Sequence, residues 1–427
     1  MDTITHGIAG ALIGKAVFRG GDMFAHRPMS SQRIITWSLM LGAIFPDVDV
    51  VRGWFSHNDM LIMTWHRSIT HSLVCLPIWA LALALLTLAL ARWRKWDAPS
   101  LAALTAVYAV GIASHIFLDL VTDFGTMIWS PLRWTRPAWD LIFIIDVTLS
   151  AILLVPQILA WIYAKREGLR QRALSCWIIS IAVTIVAAAF SRIVGAPIST
   201  RYIFATIVIL VAVFLMPSLR NFGLGLKYST WNIAGLTLAI LYIGAAYFVH
   251  NAALARLQKF VVSQHIEARA LAVFPLPPSM AHWDGLVLGP RGVYETHINF
   301  GDLSGDADTN RTIVSMADLA SPASSPTNPQ SPTADHSRTQ QLPPIEYSYF
   351  PDAPSNSYIE AAKRLPQVET FFWFARFPVT RFHKEGSDSV VEYYDARFPH
   401  RDRGSSPFTY QVRFDANGAV LTQGWKK

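Results

Sequence analysis

His115 and Asp119 lie four apart in the apolar run 101–120, where a helix puts an imidazole and a carboxylate on one face, able to share a cation. Asp123 is expected to extend that face by another turn. Asp47 and Asp49 follow Pro46 at the end of a short apolar stretch. Two carboxylates flanking one residue can bridge metals or divide the roles of ligand and base. His66 and His71 bracket a turn, Arg67-Ser68-Ile69-Thr70, whose hydroxyls can accept from the free amides of a helix starting near 70. Thr5-His6-Gly7 adds an imidazole near the start. Imidazoles and carboxylates together suit zinc first, with manganese or iron as alternatives, whereas calcium asks for more oxygens. Arg67 could bind an anionic group such as phosphate, or pair with Asp47 or Asp49.

One such residue would say little, because a lone membrane histidine is usually just a hydrogen-bonded polar group. The conjunction says more. An ionisable side chain at the bilayer centre costs about 2.5–3.5 kcal/mol, so a helix carrying His115 and Asp119 needs partners for them. Asp146, inside the run Leu141–Ser150, is a further intramembrane carboxylate. It can orient a ligand histidine from outside the coordination sphere, lie on a proton path, or bond a neighbouring helix.

The elements that must position these groups follow from composition. Of 427 residues, 52% are hydrophobic and 15% charged, well below the quarter charged that soluble proteins average, which places the chain in the membrane class. Runs near the roughly 20 residues needed to span occur at 72–91, 101–120, 141–163, 174–194 and 231–250, with a shorter one at 202–216. Stretches 4–18 and 34–46 read as short or re-entrant helices. The net charge of +7 lies in short loops rather than on a basic face, so no nucleic-acid partner is expected. Arg92/Arg94/Lys95, Lys165/Arg166/Arg170/Arg172 and Arg220/Lys227, joined by Lys15, Arg19, Arg27 and Arg33, fall in one phase as cytoplasmic loops. Segments 47–71 and 121–140 and everything after 251 then lie on the other, periplasmic side. All the His/Asp motifs reach that same face. The N-terminus lacks the features of a cleavable signal. Cys75 and Cys176 both sit in apolar runs, so no disulfide framework or cysteine zinc site is expected.

The expected fold is an α-helical polytopic membrane domain over 1–250, with two short and about six spanning helices. An amphipathic helix and connector over 251–280 are stopped by Pro275, Pro277 and Pro278. A soluble, mainly antiparallel α+β domain follows over 281–427. Its strand signals are the arms around Gly289-Pro290-Arg291-Gly292, then 370–382, 389–398 and 408–425. Residues 301–344, rich in Ser, Pro, Thr, Asp and Asn, read as a disordered loop. Phe371, Phe372, Trp373 and Phe374 read as core or a membrane-facing edge.

Thr5-His6, Pro46-Asp47-Val48-Asp49, His66 through Ser72, and Ser114-His115 with Asp119 and Asp123 resemble the bacterial membrane-bound metal-dependent hydrolase family, the LexA-regulated inner-membrane hydrolases. The resemblance covers roughly residues 1–190. That family is distantly similar to zinc-dependent phospholipase C and P1-type nucleases. The resemblance implies His115 and Asp119 as a helical ligand pair, His6 as the N-terminal ligand, Asp47 or Asp49 as a bridging carboxylate, and His66 or His71 as a further ligand. The second helical His-x-x-x-Glu pair of those soluble enzymes has no clear equivalent here, so fewer than three ions are implied.

Together these readings predict metal-assisted hydrolysis at the membrane face, with Asp47 or Asp49 positioning or deprotonating water and a phospholipid or lipid-linked phosphoester as substrate. A metal- or proton-coupled transporter and a scaffold with a structural metal are the alternatives. A transporter of the usual kind shows two related halves, and no internal repeat is evident. No partner of the C-terminal domain is indicated.

Overall fold

The computed structural model describes residues 1–17, 30–54, 60–193, 200–215, 226–277, 280–300, 345–398 and 408–426. The segment 301–344, Arg19, Arg27, Arg220 and Pro278 lie outside the described residues. The chain divides into two compact units, Met1–Tyr247 and Phe248–Lys427.

The first unit is helical. In chain order come α1 (Thr3–Ala16), α2 (Ser31–Ile44), α3 (Val50–Trp54), α4 (Leu61–Thr64), α5 (Leu76–Arg94), α6 (Leu101–Leu120), α7 (Val147–Ile162), α8 (Leu169–Ile193) and α9 (Thr200–Leu210). The long α10 (Tyr228–Ser263) runs on into the second unit. Among the described residues, five helical segments are long and apolar enough to cross a membrane: Ser31–Arg52, Leu76–Arg94, Leu101–Leu120, Leu169–Val186 and Tyr228–Ser263. Two expectations change here. The stretch 34–46 belongs to a 22-residue segment, because α2 runs through a 3-10 turn, Phe45–Asp49, into α3. The run 141–163 instead yields a helix of only 16 residues. Leu141 and Ile142 give their amides to the Val121 carbonyl, and Asp146 caps α7 by accepting from Leu149 N.

Small residues bring α1, α2 and α6 into backbone contact. A Cβ on Gly10 would lie 2.6 Å from the Leu39 carbonyl oxygen, and one on Gly111 would lie 2.8 Å from the same atom. Helix α2 is thus gripped from both sides, and close approach of this kind is how membrane helices associate without a hydrophobic driving force. The C-terminal ends of α2 and α6 and the N-terminal ends of α1, α5 and α7 all come to one end of the bundle.

In the second unit, β1 (Ala270–Leu276), β2 (His282–Gly289), β3 (Gly292–Asn299) and β4 (Tyr347–Pro351) form one antiparallel sheet in sequence order. β5 (Pro378–Glu385), β6 (Asp388–Asp395), β7 (Tyr410–Phe414) and β8 (Val420–Trp425) form a second. The period of two is visible in the packing. Phe274 and Leu286 meet Val379 and Tyr394 of the other sheet and Phe377 just before it, while their neighbours Val273 and Val287 pack on Ala253, Leu257 and Phe260 of α10. The β2–β3 turn closes at Gly289 and Gly292. Gly292 has φ 149°, and a Cβ there would strike the Phe350 carbonyl oxygen at 2.3 Å.

Two local expectations fail. The amphipathic helix was expected to reach the prolines, but α10 ends at Ser263 and β1 takes Ala270–Leu276. Val273 and Phe274 each bury against a different layer, which only a strand allows. The first five residues of 370–382 are helical too: α11 (Ser357–Lys363) is followed by α12 (Pro366–Phe374), which starts at a proline, buries Phe371 and Phe374 and leaves Trp373 exposed.

Candidate metal centre

The motifs at one end of the bundle converge on a buried cluster. Helix α6 presents His115 and Asp119 on one side, 0% and 1% exposed. His115 Nδ1 lies 2.6 Å from the Ala43 carbonyl at the end of α2, an approach the Gly10 and Gly111 contacts permit. A carbonyl can only accept, so Nδ1 carries the proton and Nε2 is left with its lone pair. That Nε2 faces His71 Nε2 at 3.0 Å.

His71 is held in the same manner. Its Nδ1 lies 3.3 Å from Asp49 Oδ2 and 3.1 Å from Thr70 Oγ1, which directs Nε2 inward. Burial opposes protonation of His71, but the carboxylates of Asp119, Asp47 and Asp49 around it outweigh burial and push this imidazole up to about 10. Asp119 Oδ2 lies 3.2 Å from His71 Nε2 and 3.4 Å from His115 Nε2, yet accepts no hydrogen bond. Asp47 Oδ1 lies 3.6 and 3.5 Å from the same two nitrogens.

These spacings fit a divalent cation. Two donors each about 2.0–2.1 Å from a tetrahedral zinc stand roughly 3.3 Å apart. Asp47, His71 and His115 form one such trio, and His6, His115 and Asp119 form another. His6 is fully buried and stacks on His115 with ring centroids 3.6 Å apart. Its Nε2 lies 3.2 Å from Asp119 Oδ1, and its Nδ1 is buried without a hydrogen-bond partner.

The two neighbouring carboxylates are used differently. Asp49 Oδ1 meets His66 Nδ1 at 2.9 Å, and Oδ2 accepts from Arg67 N at 2.9 Å and Thr70 Oγ1 at 3.1 Å. With both oxygens engaged, Asp49 orients His71 and His66 rather than facing the cluster. Asp47 points one oxygen at the histidines and accepts from Thr3 Oγ1 at 2.5 Å on the other. His66, 20% exposed, touches Asp49 and stands outside both donor trios.

Arg67 pairs with neither Asp47 nor Asp49 through its guanidinium. Its Nη2 lies 3.0 Å from Asp119 Oδ1, Nη1 donates to Thr122 Oγ1 at 3.1 Å, and the residue is 2% exposed. It sits at φ 61°, and its carbonyl accepts from Met127 N at 2.9 Å. It is a counter-charge for Asp119, not an exposed hook for a substrate anion. The Met1 amino group also donates to Asp119 Oδ1. Asp123 does not continue the α6 face. The helix ends at Leu120, where the Thr122 hydroxyl and amide both turn back to the Asp119 carbonyl. Asp146 is occupied as the α7 cap and as acceptor from Tyr242 Oη at 2.9 Å.

Arg136 was not singled out in the sequence. Its guanidinium donates to the carbonyls of Met63, His66 and Gly125 at 2.7, 3.3 and 3.1 Å, tying the segment before His71 to the loop that follows α6. An arginine in a short loop after an apolar helix looks like a topology signal, so nothing in its sequence context distinguishes it.

Five membrane-length helices among the described residues define a multi-pass membrane protein. Residues 1–194 match the YdjM inner membrane protein family, so the first unit is similar to a family of the inner membrane, and the match stops before the second unit. No curated protein and no solved structure matches the chain.

Proposed function

We propose that the first unit is a metal-dependent hydrolase acting at the membrane face, with a lipid phosphoester as the substrate class and zinc as the expected ion. One observation carries the reading: the Nε2 atoms of His71 and His115 face each other at 3.0 Å with their other nitrogens engaged by Asp49 and by the Ala43 carbonyl. Two ring nitrogens held that close share either a proton or a cation. His71 and His115 with Asp47, or His6 and His115 with Asp119, would hold the ion. Three protein donors leave a position open, as catalytic zinc sites do. A bound divalent ion supplies Lewis acidity toward a phosphoryl oxygen.

The residues of the chain do the rest. Asp47, with one oxygen toward the histidines and 11% exposure, is placed to accept a proton from water. Asp49 keeps His71 in the tautomer that presents Nε2, as orienting carboxylates do. Arg67 balances Asp119, so the cluster does not hold two uncompensated carboxylates. The face carrying the cluster is assigned to the periplasm on the loop-charge argument, and the second unit with it.

The test is elemental analysis of the detergent-purified protein beside His115→Ala and Asp119→Ala variants of confirmed fold. Near-stoichiometric metal in the wild type, lost in both variants together with hydrolysis of lipid phosphoesters, is expected. Wild type and variants equally metal-free after supplementation would remove the hydrolase reading.

A further inference from the structure

A groove of about 600 Å³ opens beside the cluster, between α2, α5 and α6, within the range of about 300–1,000 Å³ typical of ligand pockets. Its walls are apolar: Leu41 and Ile44 from α2, Leu83, Leu86 and Leu90 from α5. Along α5 it extends from Leu83 to Leu90, roughly 10 Å at 1.5 Å per residue. Leu41, Leu86 and Leu90 are 48, 67 and 40% exposed, and all three helices lie in membrane-length segments, so the open side faces hydrocarbon. Polar atoms are few. The hydroxyls of Thr87 and Tyr108 bond each other across α5 and α6 at 2.6 Å, which leaves that part of the wall internally satisfied.

The one charged lining residue is Asp47, with Thr3 beside it. Asp47 is also 3.5 and 3.6 Å from His115 and His71 through its other oxygen. The apolar groove therefore ends on the carboxylate that borders the proposed metal centre. A concave apolar surface open to the bilayer, with a single polar end, matches the chemistry of a lipid: a hydrocarbon chain along the wall and a polar head at the site. A soluble substrate would leave those leucines unused, and a helix of a partner protein would bury no head at Asp47.

We infer that this groove is the acyl-chain subsite, which takes one chain of a membrane phosphoglyceride laterally from the bilayer and delivers its phosphoester to the Asp47 end. This rests on the hydrolase reading for its purpose but not for its test, because the chain contacts are apolar and need no ion. The phosphate, facing Asp47, does need a cation, so metal removal should disturb the head end and spare the chain end.

The experiment uses the full-length protein in vesicles of phosphatidylethanolamine and phosphatidylglycerol that contain phosphatidylglycerol with a photoreactive acyl chain, followed by peptide mapping, with and without chelator. Labelling concentrated on the α2 and α5 residues that line the groove, and persisting in chelator, is expected. Leu83→Trp and Leu41→Trp, which fill it, should each lower that labelling about tenfold, as denial of roughly two methylene contacts would. Leu85→Trp, on lipid-exposed α5 surface outside the groove, should not. Labelling spread evenly over α5, or unchanged by both filling substitutions, overturns the subsite. Groove labelling in protein that binds no metal and turns over no lipid keeps the subsite and removes the hydrolase reading.

Discussion

Asp119 in the helical unit and Asp395 in the sheet unit are each 1% exposed, and each is paired with an arginine, yet their surroundings are opposite. Asp395 is closed. Its oxygens take Arg397 Nε at 2.9 Å and Nη2 at 2.8 Å, with the backbone amides of Arg376, Phe377 and Arg397 at 3.0, 3.4 and 3.1 Å. Every lone pair is answered locally, and the residue fastens a turn after β6. Asp119 is open. Arg67, His6 and the Met1 amino group lie against Oδ1, while Oδ2 faces two imidazole nitrogens without accepting a hydrogen bond. Burial of a charge is common to both and decides little. What separates a structural carboxylate from a candidate ligand is unanswered acceptor capacity, since buried polar groups are otherwise satisfied.

The largest test of this contrast sets Asp395→Ala beside Asp119→Ala. Removing Asp395 strands a buried arginine, which costs about 3–5 kcal/mol. Denaturant melts should show the loss, and elemental analysis should find the metal content unchanged. If Asp395→Ala strips the metal as completely as Asp119→Ala does, the contrast fails. Within the cluster, Asp49→Asn is predicted to weaken metal retention by about 10–100-fold, the usual cost of losing an orienting carboxylate. Competition against a chelator reads this directly. Loss as total as in His115→Ala would make Asp49 a ligand instead.

The smallest effect lies in the sheet unit. Glu295 on β3 is pushed up to about 7 from 4.5 by burial and by Asp284, against an opposing pull from His297. Between those two pH values the unfolded chain has released a proton that the folded chain keeps, so stability falls as pH rises through the window and stays lower above it. Glu295→Gln removes the ionisation. It should stabilise β3 relative to wild type above pH 7, on the order of 1 kcal/mol after allowance for partial exposure. Below pH 4.5, where both states of the wild type are protonated, the gain should vanish. Hydrogen exchange of β3 amides, compared between the two proteins at each pH, measures it. A gain of equal size at both pH values would assign the effect to packing rather than charge.

Much of the helical unit was legible in the sequence because span length is fixed by bilayer thickness and apolar composition. The runs 72–91 and 101–120 correspond to α5 and α6 within a few residues. The hairpin at Gly289–Gly292 was equally plain, since its turn residues and flanking alternation agree. The run 270–276 was not, because a short apolar segment with a proline suits a helix end as well as a strand. Only the packing of Val273 toward α10 and Phe274 toward the second sheet decides between them.

The sequence by itself supplied the candidates for the site, His and Asp residues expected to gather at one end of the bundle, a wider set than the His6, Asp47, His71, His115 and Asp119 that meet there. Membrane burial penalises each of them alone, so their positions in the pattern carry information without any coordinates. The division of labour came from tertiary structure. Asp47 and Asp49 are separated by one residue, and no spacing rule tells which faces the histidines. The 3-10 turn after α2 does, by aiming Asp49 at the Arg67 amide and Asp47 at the His71–His115 edge. Likewise the end of α6 at Leu120 removes Asp123 from the face, and the cap of α7 claims Asp146. Residue types and periodicity are local properties, whereas the state of each lone pair depends on donors and acceptors brought in from other helices.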